Sequence, residues 1–298
     1  MSTFIDLLIS TLTQGFIYAM LSYGVYITYK ILDFPDLTVD GSFPLGAAVT
    51  AVLLVNGCDP FLALLAAIGV GALAGLVTGL IHVRCQVRDL LASIITMTAL
   101  FSINLQIAGS NLAIPRGADT IFTAPVTLAL FGGLSLMRRK LIVSFLLALI
   151  VKLILDLYFK TRSGLLLRAA GNNANVVTAI AKDVGRVKIL GLVIANALVA
   201  LSGAIVAQEQ RSFSSTLGTG QMVFGLATVI IGTTLFKKVS FVRGTTAVVV
   251  GSIIYKICIQ LAINLGLPAN LLKLVTAVLF LLILILGNLQ KGKVKRHA

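Results

Sequence analysis

PFLALLAAIGVGALAGLVTGLIH, residues 60–82, contains no Asp, Glu, Lys or Arg and does not alternate between apolar and polar positions. A helix needs about 20 such residues to cross the roughly 30 Å hydrocarbon layer of a bilayer, whereas a barrel strand is about half that length and alternates. The stretch therefore reads as a membrane-crossing helix. Gly71, Gly75 and Gly79 recur every fourth residue along it, so one face lets another helix backbone approach closely.

Similar runs extend in both directions, over residues 4–28, 41–56, 90–108, 141–159, 189–207, 221–236, 245–266 and 271–289. With residues 60–82 they give about nine crossings, within a range of about eight to ten. The run 124–136 is apolar but short, which suits a re-entrant or interfacial piece. The expected fold class is all-α: one polytopic helical membrane domain occupying residues 1–298.

Composition agrees: 58% of the 298 residues are hydrophobic and 11% charged, with a mean hydropathy of +1.04, against roughly 25% charged in a soluble domain. A net charge of +14 would suggest nucleic acid in a soluble protein. Here the cations fall between apolar runs, so they read as topology determinants and contacts to anionic lipid, with no nucleic-acid partner. Counting back from the basic tail, residues 290–298, places Lys237, Lys238 and Arg243, the 160–188 connection, and Arg84 and Arg88 on the cytoplasmic side. The same count leaves Arg138, Arg139 and Lys140 outside, against the rule, and puts the N-terminus outside too. The first run lacks a basic leader and a cleavage site and reads as a retained helix. Cys58, Cys85 and Cys258 have no CxxC spacing and imply neither a disulfide nor a metal site.

Two interrupted stretches stand out. ILDFPDLTVDGSFPLGAAV, residues 31–49, sets Asp33, Asp36 and Asp40 beside Pro35, Gly41 and Pro44. It reads either as a broken helix lining a pathway or as a solvated loop before a span. SFSSTLGTGQMVFGLATVIIG, residues 212–232, carries Gly218, Gly220 and Gly225 in the other half of the chain. Breaks in corresponding halves point to a substrate path between repeats.

The polar connection 161–188 is patterned: Val176, Val177, Ile180, Ala181 and Val184 recur at helical spacing between Gly171 and Gly185. It predicts a short surface helix that either docks on a partner or lies on lipid. Lys256 is placed within an apolar span, where an isolated charge costs at least ~2.5 kcal/mol. It is expected to pair with a carboxylate or backbone carbonyls, or to meet substrate directly. Lys152 and Asp156 are four residues apart and expected to pair.

An enzyme is disfavoured. His82 and His297 are the only histidines, no HExxH is present, and Asp36 and Asp40 flank a turn. No GxxxxGK[ST] run cradles nucleotide phosphate, so the chain is expected to bind no cofactor of its own. An ion-coupled secondary transporter remains the rival reading, because broken helices and buried charges serve it equally well.

DFPDLTVDGSFPLGA, RAAGNNANVVTAIAKDVGR and GLVIANALVALSGAIVAQ together resemble the permeases of ATP-binding cassette importers of the branched-chain amino acid and ribose class. The TVDGSF wording is most similar to a subgroup paired with a lipoprotein-type binding protein and associated with amino acids, including tryptophan and tyrosine. The resemblance covers about residues 10–285. It implies a type II importer permease fold in a bacterial cytoplasmic membrane, a permease homodimer, separate ATPase subunits that bind the ATP, and an extracytoplasmic binding protein or lipoprotein. It implies a coupling helix over residues 171–185, with Arg168, Gly171, Asn172, Asn173, Ala179, Asp183 and Gly185 at the ATPase contact. It further implies a translocation pathway near Asp36, Thr38, Asp40, Gly41 and Ser42, to which the second break adds Gly218 and Gly220 and the buried charge adds Lys256. Related permeases have an Asn-Phe-Ala-His-Gly run where this chain has Asp33, Phe34, Pro35 and Asp36.

Overall fold

The computed structural model describes residues 2–172, 183–237 and 242–265, with scattered positions between 271 and 285. The chain is an all-α membrane protein. Its helices are α1 (Ser2–Val25), prolonged by a π-helical turn (Tyr26–Ile31), α2 (Val39–Val55), α3 (Pro60–Val83), α4 (Asp89–Ala108), α5 (Pro125–Phe131), α6 (Leu136–Tyr158), α7 (Arg162–Asn172), α8 (Val184–Gln210), α9 (Gln221–Leu235) and α10 (Gly244–Asn264). Among the described residues, seven segments are long and apolar enough to cross a membrane, and α2 is a shorter apolar helix. The expected crossing at 271–289 falls largely outside the described residues.

α3 and α8 run antiparallel through the centre. A side chain at Gly71 would meet Asn196 and Ala200, one at Gly75 Leu192, and one at Gly79 Ile189. The four-residue glycine stripe is thus the seam on which α8 lies. Lipid tails are as apolar as the side chains, so close backbone packing rather than water exclusion holds such helices together. α1 runs antiparallel to α8 on another face: Gly24 abuts Ala195, and the Ser202 hydroxyl donates to the Ile17 carbonyl at 2.9 Å.

These contacts bring the ends of α1, α3 and α6 and the starts of α8 and α10 to one end of the bundle. Ile31 meets Gly171 there, Lys188 approaches His82, and Arg243 bonds Asp156. Among the described residues, the expected loop cations, from Arg84 and Arg88 through Lys160, Arg162, Arg168, Arg186 and Lys188 to Lys237 and Arg243, gather at this basic end. At the opposite end, a two-stranded antiparallel ribbon joins β1 (Asn111–Ala113) to β2 (Ser212–Ser214), a small addition that the helical periodicity did not predict.

α6 begins at Leu136, earlier than expected, because no Gly or Pro interrupts Arg138, Arg139 and Lys140. Lys140 pairs with Glu209 at 2.8 Å. A cation neutralised in this way has a weaker hold on topology, which accounts for Lys140 at the end it shares with Arg116, Arg138, Arg139 and Arg211, opposite the basic end. α5 is too short to cross and leads from Ala124 into the turn before α6.

Candidate functional site

After the π-helical turn, regular helix stops at Leu32. Asp33 adopts φ 53°, and the Phe34 amide reaches back to the Thr28 carbonyl at 2.9 Å. Pro35 supplies no amide donor, so residues 33–36 are irregular and the chain turns through Leu37 and Thr38 before α2 starts. α2 therefore begins inside the bundle. Its first residues lie level with Asn196, about 18 Å along α8 from Val184 at 1.5 Å per residue. Residues 31–49 form a buried break between two helices rather than a solvated loop before a span.

Backbone and side-chain polar groups freed by this break are paired internally. Asp36, fully buried, accepts the Thr38 amide at 3.0 Å and the Asn196 side-chain amide at 2.8 Å. Asn196 in turn accepts the Ser42 hydroxyl at 2.7 Å, Thr38 and Thr78 hydroxyls bond at 2.9 Å, and Asn104 donates to the Gly41 carbonyl at 3.1 Å. Each bond spares a polar group the cost of burial in a medium without water.

The second break meets the first. β2 and a 3-10 turn (Ser215–Gly218) lead to Gly220, whose φ of 85° suits glycine, and α9 then starts within the bundle. Asp40, in the first turn of α2, accepts the Gly220 amide at 3.1 Å and the Met222 amide at 2.7 Å. The carboxylate thus caps α9 from another helix, satisfying its orphan donors and lying at the positive end of its dipole. Gly218 presses on the Asp40 carbonyl and the Pro44 ring, leaving no room for a side chain.

Asp36, Thr38, Asp40, Gly41, Ser42, Gly218 and Gly220 therefore come together. Beside them lies a cleft of ≈ 280 Å³ lined by Asp40, Pro44, Phe101, Asn104, Ser215 and Gly218, among others, open towards the exposed face of α4. Lys256 does not line it. Its ammonium lies 3.4 Å from the Tyr18 ring centroid and 5.1 Å from that of Phe224, a cation–π contact in place of the expected carboxylate or carbonyl. Tyr18 stacks on Phe43 of α2, so one aromatic layer separates Lys256 from the first break.

Asn196, Thr78 and Asn104 were missed in the sequence. Their signal was a lone amide or hydroxyl within an apolar run. Asp156 holds more than the expected Lys152 contact at 3.0 Å: Arg243 also bonds it at 3.0 Å and Thr245 at 2.6 Å.

At the basic end, Gly171 and Asn172 are the last described residues of α7, and most of the expected coupling helix over 171–185 lies outside the described residues. Gly171 packs on the Ile31 carbonyl, whereas Asn172 is exposed. Arg168 lies over the Phe159 ring at 4.9 Å. Asp183 caps α8 by accepting the Gly185 amide at 2.8 Å, and Gly185 touches Val83. Asn173 and Ala179 lie outside the described residues.

The family described as "Branched-chain amino acid transport system / permease component" matches residues 7–284. A tyrosine transport system permease protein of Clostridioides difficile (strain R20291) is 40% identical over 291 residues, covering 98% of this chain and 95% of the relative. A ribose import permease protein of Escherichia coli (strain K12) is 25% identical over 261 residues, covering 85% and 77%. In fold, the chain is similar to one in the solved structure of PsaBC from Streptococcus pneumoniae in complex with Fab, with TM-score 0.52, 14% identity and 92% and 89% coverage.

Proposed function

We propose, from the premise that this chain belongs to the family of branched-chain amino acid transport system permease components, that it forms the translocation pathway for an amino acid delivered by an extracytoplasmic binding protein. The chain is a multi-span ABC-type permease, a transport subunit and not an enzyme.

The observation that carries the proposal is the junction of two broken helices at Asp40 and α9, halfway through the bundle. Irregular backbone at that depth is tolerated where it is buried in protein or lines a wet cavity, and helix ends there present donors to a polar solute. An aromatic or branched-chain amino acid is the proposed substrate, on the strength of the 40% identical tyrosine permease. A second copy of the chain is proposed to close the cleft beside α4, where Phe101 is 52% exposed.

ATP is proposed to be bound by separate ATPase subunits that grip residues 161–188 at the basic end, with Asn172 and Asn173 nearest the contact. This end, with the basic tail, faces the cytoplasm of a bacterial inner membrane, and a lipoprotein-type binding protein docks at the other end. The test is uptake of labelled tyrosine or leucine into proteoliposomes holding the permease, its ATPase and its binding protein. Uptake that persists after ion gradients collapse but stops without ATP supports the proposal. Uptake that follows a proton or sodium gradient without ATP overturns it in favour of an ion-coupled transporter.

A further inference from the structure

A cavity of ≈ 400 Å³ at the basic end, separate from the cleft beside α4, lies between the π-helical turn, the end of α6, α7 and the start of α10. Tyr26, Phe159, Lys160, Arg168, Arg243 and Asp156 line it. Three cations thus face one carboxylate, and that carboxylate is already engaged by Lys152, Arg243 and Thr245. All ten acidic side chains of the chain lie among the described residues. None of them forms an ion pair with Lys160 or Arg168. Arg168 rests on the Phe159 ring, which holds its planar face and leaves its N–H edge to a partner.

We propose that this cavity binds the phosphate headgroup of an anionic membrane lipid. Phosphate oxygens match the guanidinium fork of Arg168 and the point charge of Lys160, and basic pockets between membrane helices suit such headgroups. Two features favour a lipid over free phosphate. Leu153 and Leu157, 50% and 64% exposed, share the α6 face that leads to Lys160, giving acyl chains an apolar track beside the headgroup. The cavity also borders the ends of membrane-crossing helices, where headgroups reside. The sidedness proposed above decides only which leaflet supplies the lipid; binding itself is independent of it and of transport.

The test is native mass spectrometry of the full-length chain in neutral detergent, offered phosphatidylglycerol and phosphatidylcholine in equal amounts. The wild type is expected to retain phosphatidylglycerol preferentially, with the preference falling by about fivefold for each cation removed in Lys160→Gln and Arg168→Gln. The charge-conserving pair Lys160→Arg and Arg168→Lys, which controls for loss of fold, is expected to keep most of it. Equal retention of the two lipids, a preference unchanged by the Gln variants, or an equal loss in the charge-conserving pair overturns the proposal. Displacement of the lipid by millimolar inorganic phosphate overturns it in favour of a free-anion site.

Discussion

The Asp40 carboxylate of α2 lies 2.7 Å from the Met222 amide of α9, so a residue early in the chain closes a helix that begins about 180 positions later. Helix caps are usually local. A cap borrowed from a distant element ties two breaks into one unit. Asp40→Ala is expected to destabilise the chain by about 1–2 kcal/mol, and Asp40→Asn, which keeps one acceptor oxygen, by less. Unfolding of the purified chain in a detergent titration reads the difference. A wild-type midpoint for Asp40→Ala would refute the cap.

Asn196 joins Asp36 to Ser42. Replacing it with Ala strands a buried carboxylate oxygen and a hydroxyl, so a loss of about 2–3 kcal/mol is expected, whereas Ser42→Ala removes one bond and costs about 1 kcal/mol. The same detergent titration ranks the two, and the reverse order would count against the network.

Gly75 and Gly69 share one helix and differ in surroundings. A methyl at Gly75 would enter the Leu192 backbone, while nothing lies within 4 Å of one at Gly69. Gly75→Ala is expected to cost about 1–3 kcal/mol through overpacking, and Gly69→Ala to be neutral or slightly stabilising. Equal thermal inactivation of the two variants would remove the seam between α3 and α8.

Asp156 carries three partners, and its own side chain is 6% exposed, against 20% for Lys152 and 58% for Arg243. Asp156→Ala leaves those partners uncompensated and is expected to be the most damaging change, at about 3 kcal/mol. Lys152→Ala follows, and Arg243→Ala costs less than about 1 kcal/mol. Chemical unfolding of the three variants tests this ranking.

Asn172 is exposed and Gly171 is not free to grow, because a side chain there would meet the Ile31 carbonyl. Asn172→Trp is expected to leave the unfolding midpoint unchanged while lowering uptake per ATP hydrolysed by about tenfold, the effect of roughly 1.4 kcal/mol at the proposed contact. Gly171→Val is expected to lower stability itself. Normal coupling in Asn172→Trp would argue against an ATPase docking there.

Much of this architecture was legible in the chain. Uninterrupted apolar runs located the seven crossings found among the described residues to within about five residues, since helix length against bilayer thickness leaves little choice. The stripe at Gly71, Gly75 and Gly79 announced a close helix contact without naming α8 as its partner. Asp36 and Asp40 were picked out beside Pro and Gly that interrupt a helix, and Gly218 and Gly220 as a second interruption in the other half of the chain, because broken backbone in a membrane demands internal partners. The sequence did not reveal that Asp40 would cap α9, because a cap from another helix has no fixed spacing. Asn196 and Asn104 escaped for a similar reason: a single amide in an apolar span announces a bond but not to what. Lys256 was read by charge alone, and its aromatic contacts depend on Tyr18 and Phe224, which come from two other helices.

The distance in sequence between Asp40 and Met222 also sets an order of assembly. A ribosome releases the N-terminal crossings first, so Asp36 and Asp40 enter the bilayer before Asn196 and Met222 have been made. Each such carboxylate costs about 2.5–3.5 kcal/mol at the centre of a lone helix. The nascent chain must therefore hold its early segments in a provisional, partly hydrated arrangement. Only when residue 222 emerges does the first break meet the second, and a fragment ended before that point lacks the amide donors that pair with Asp40.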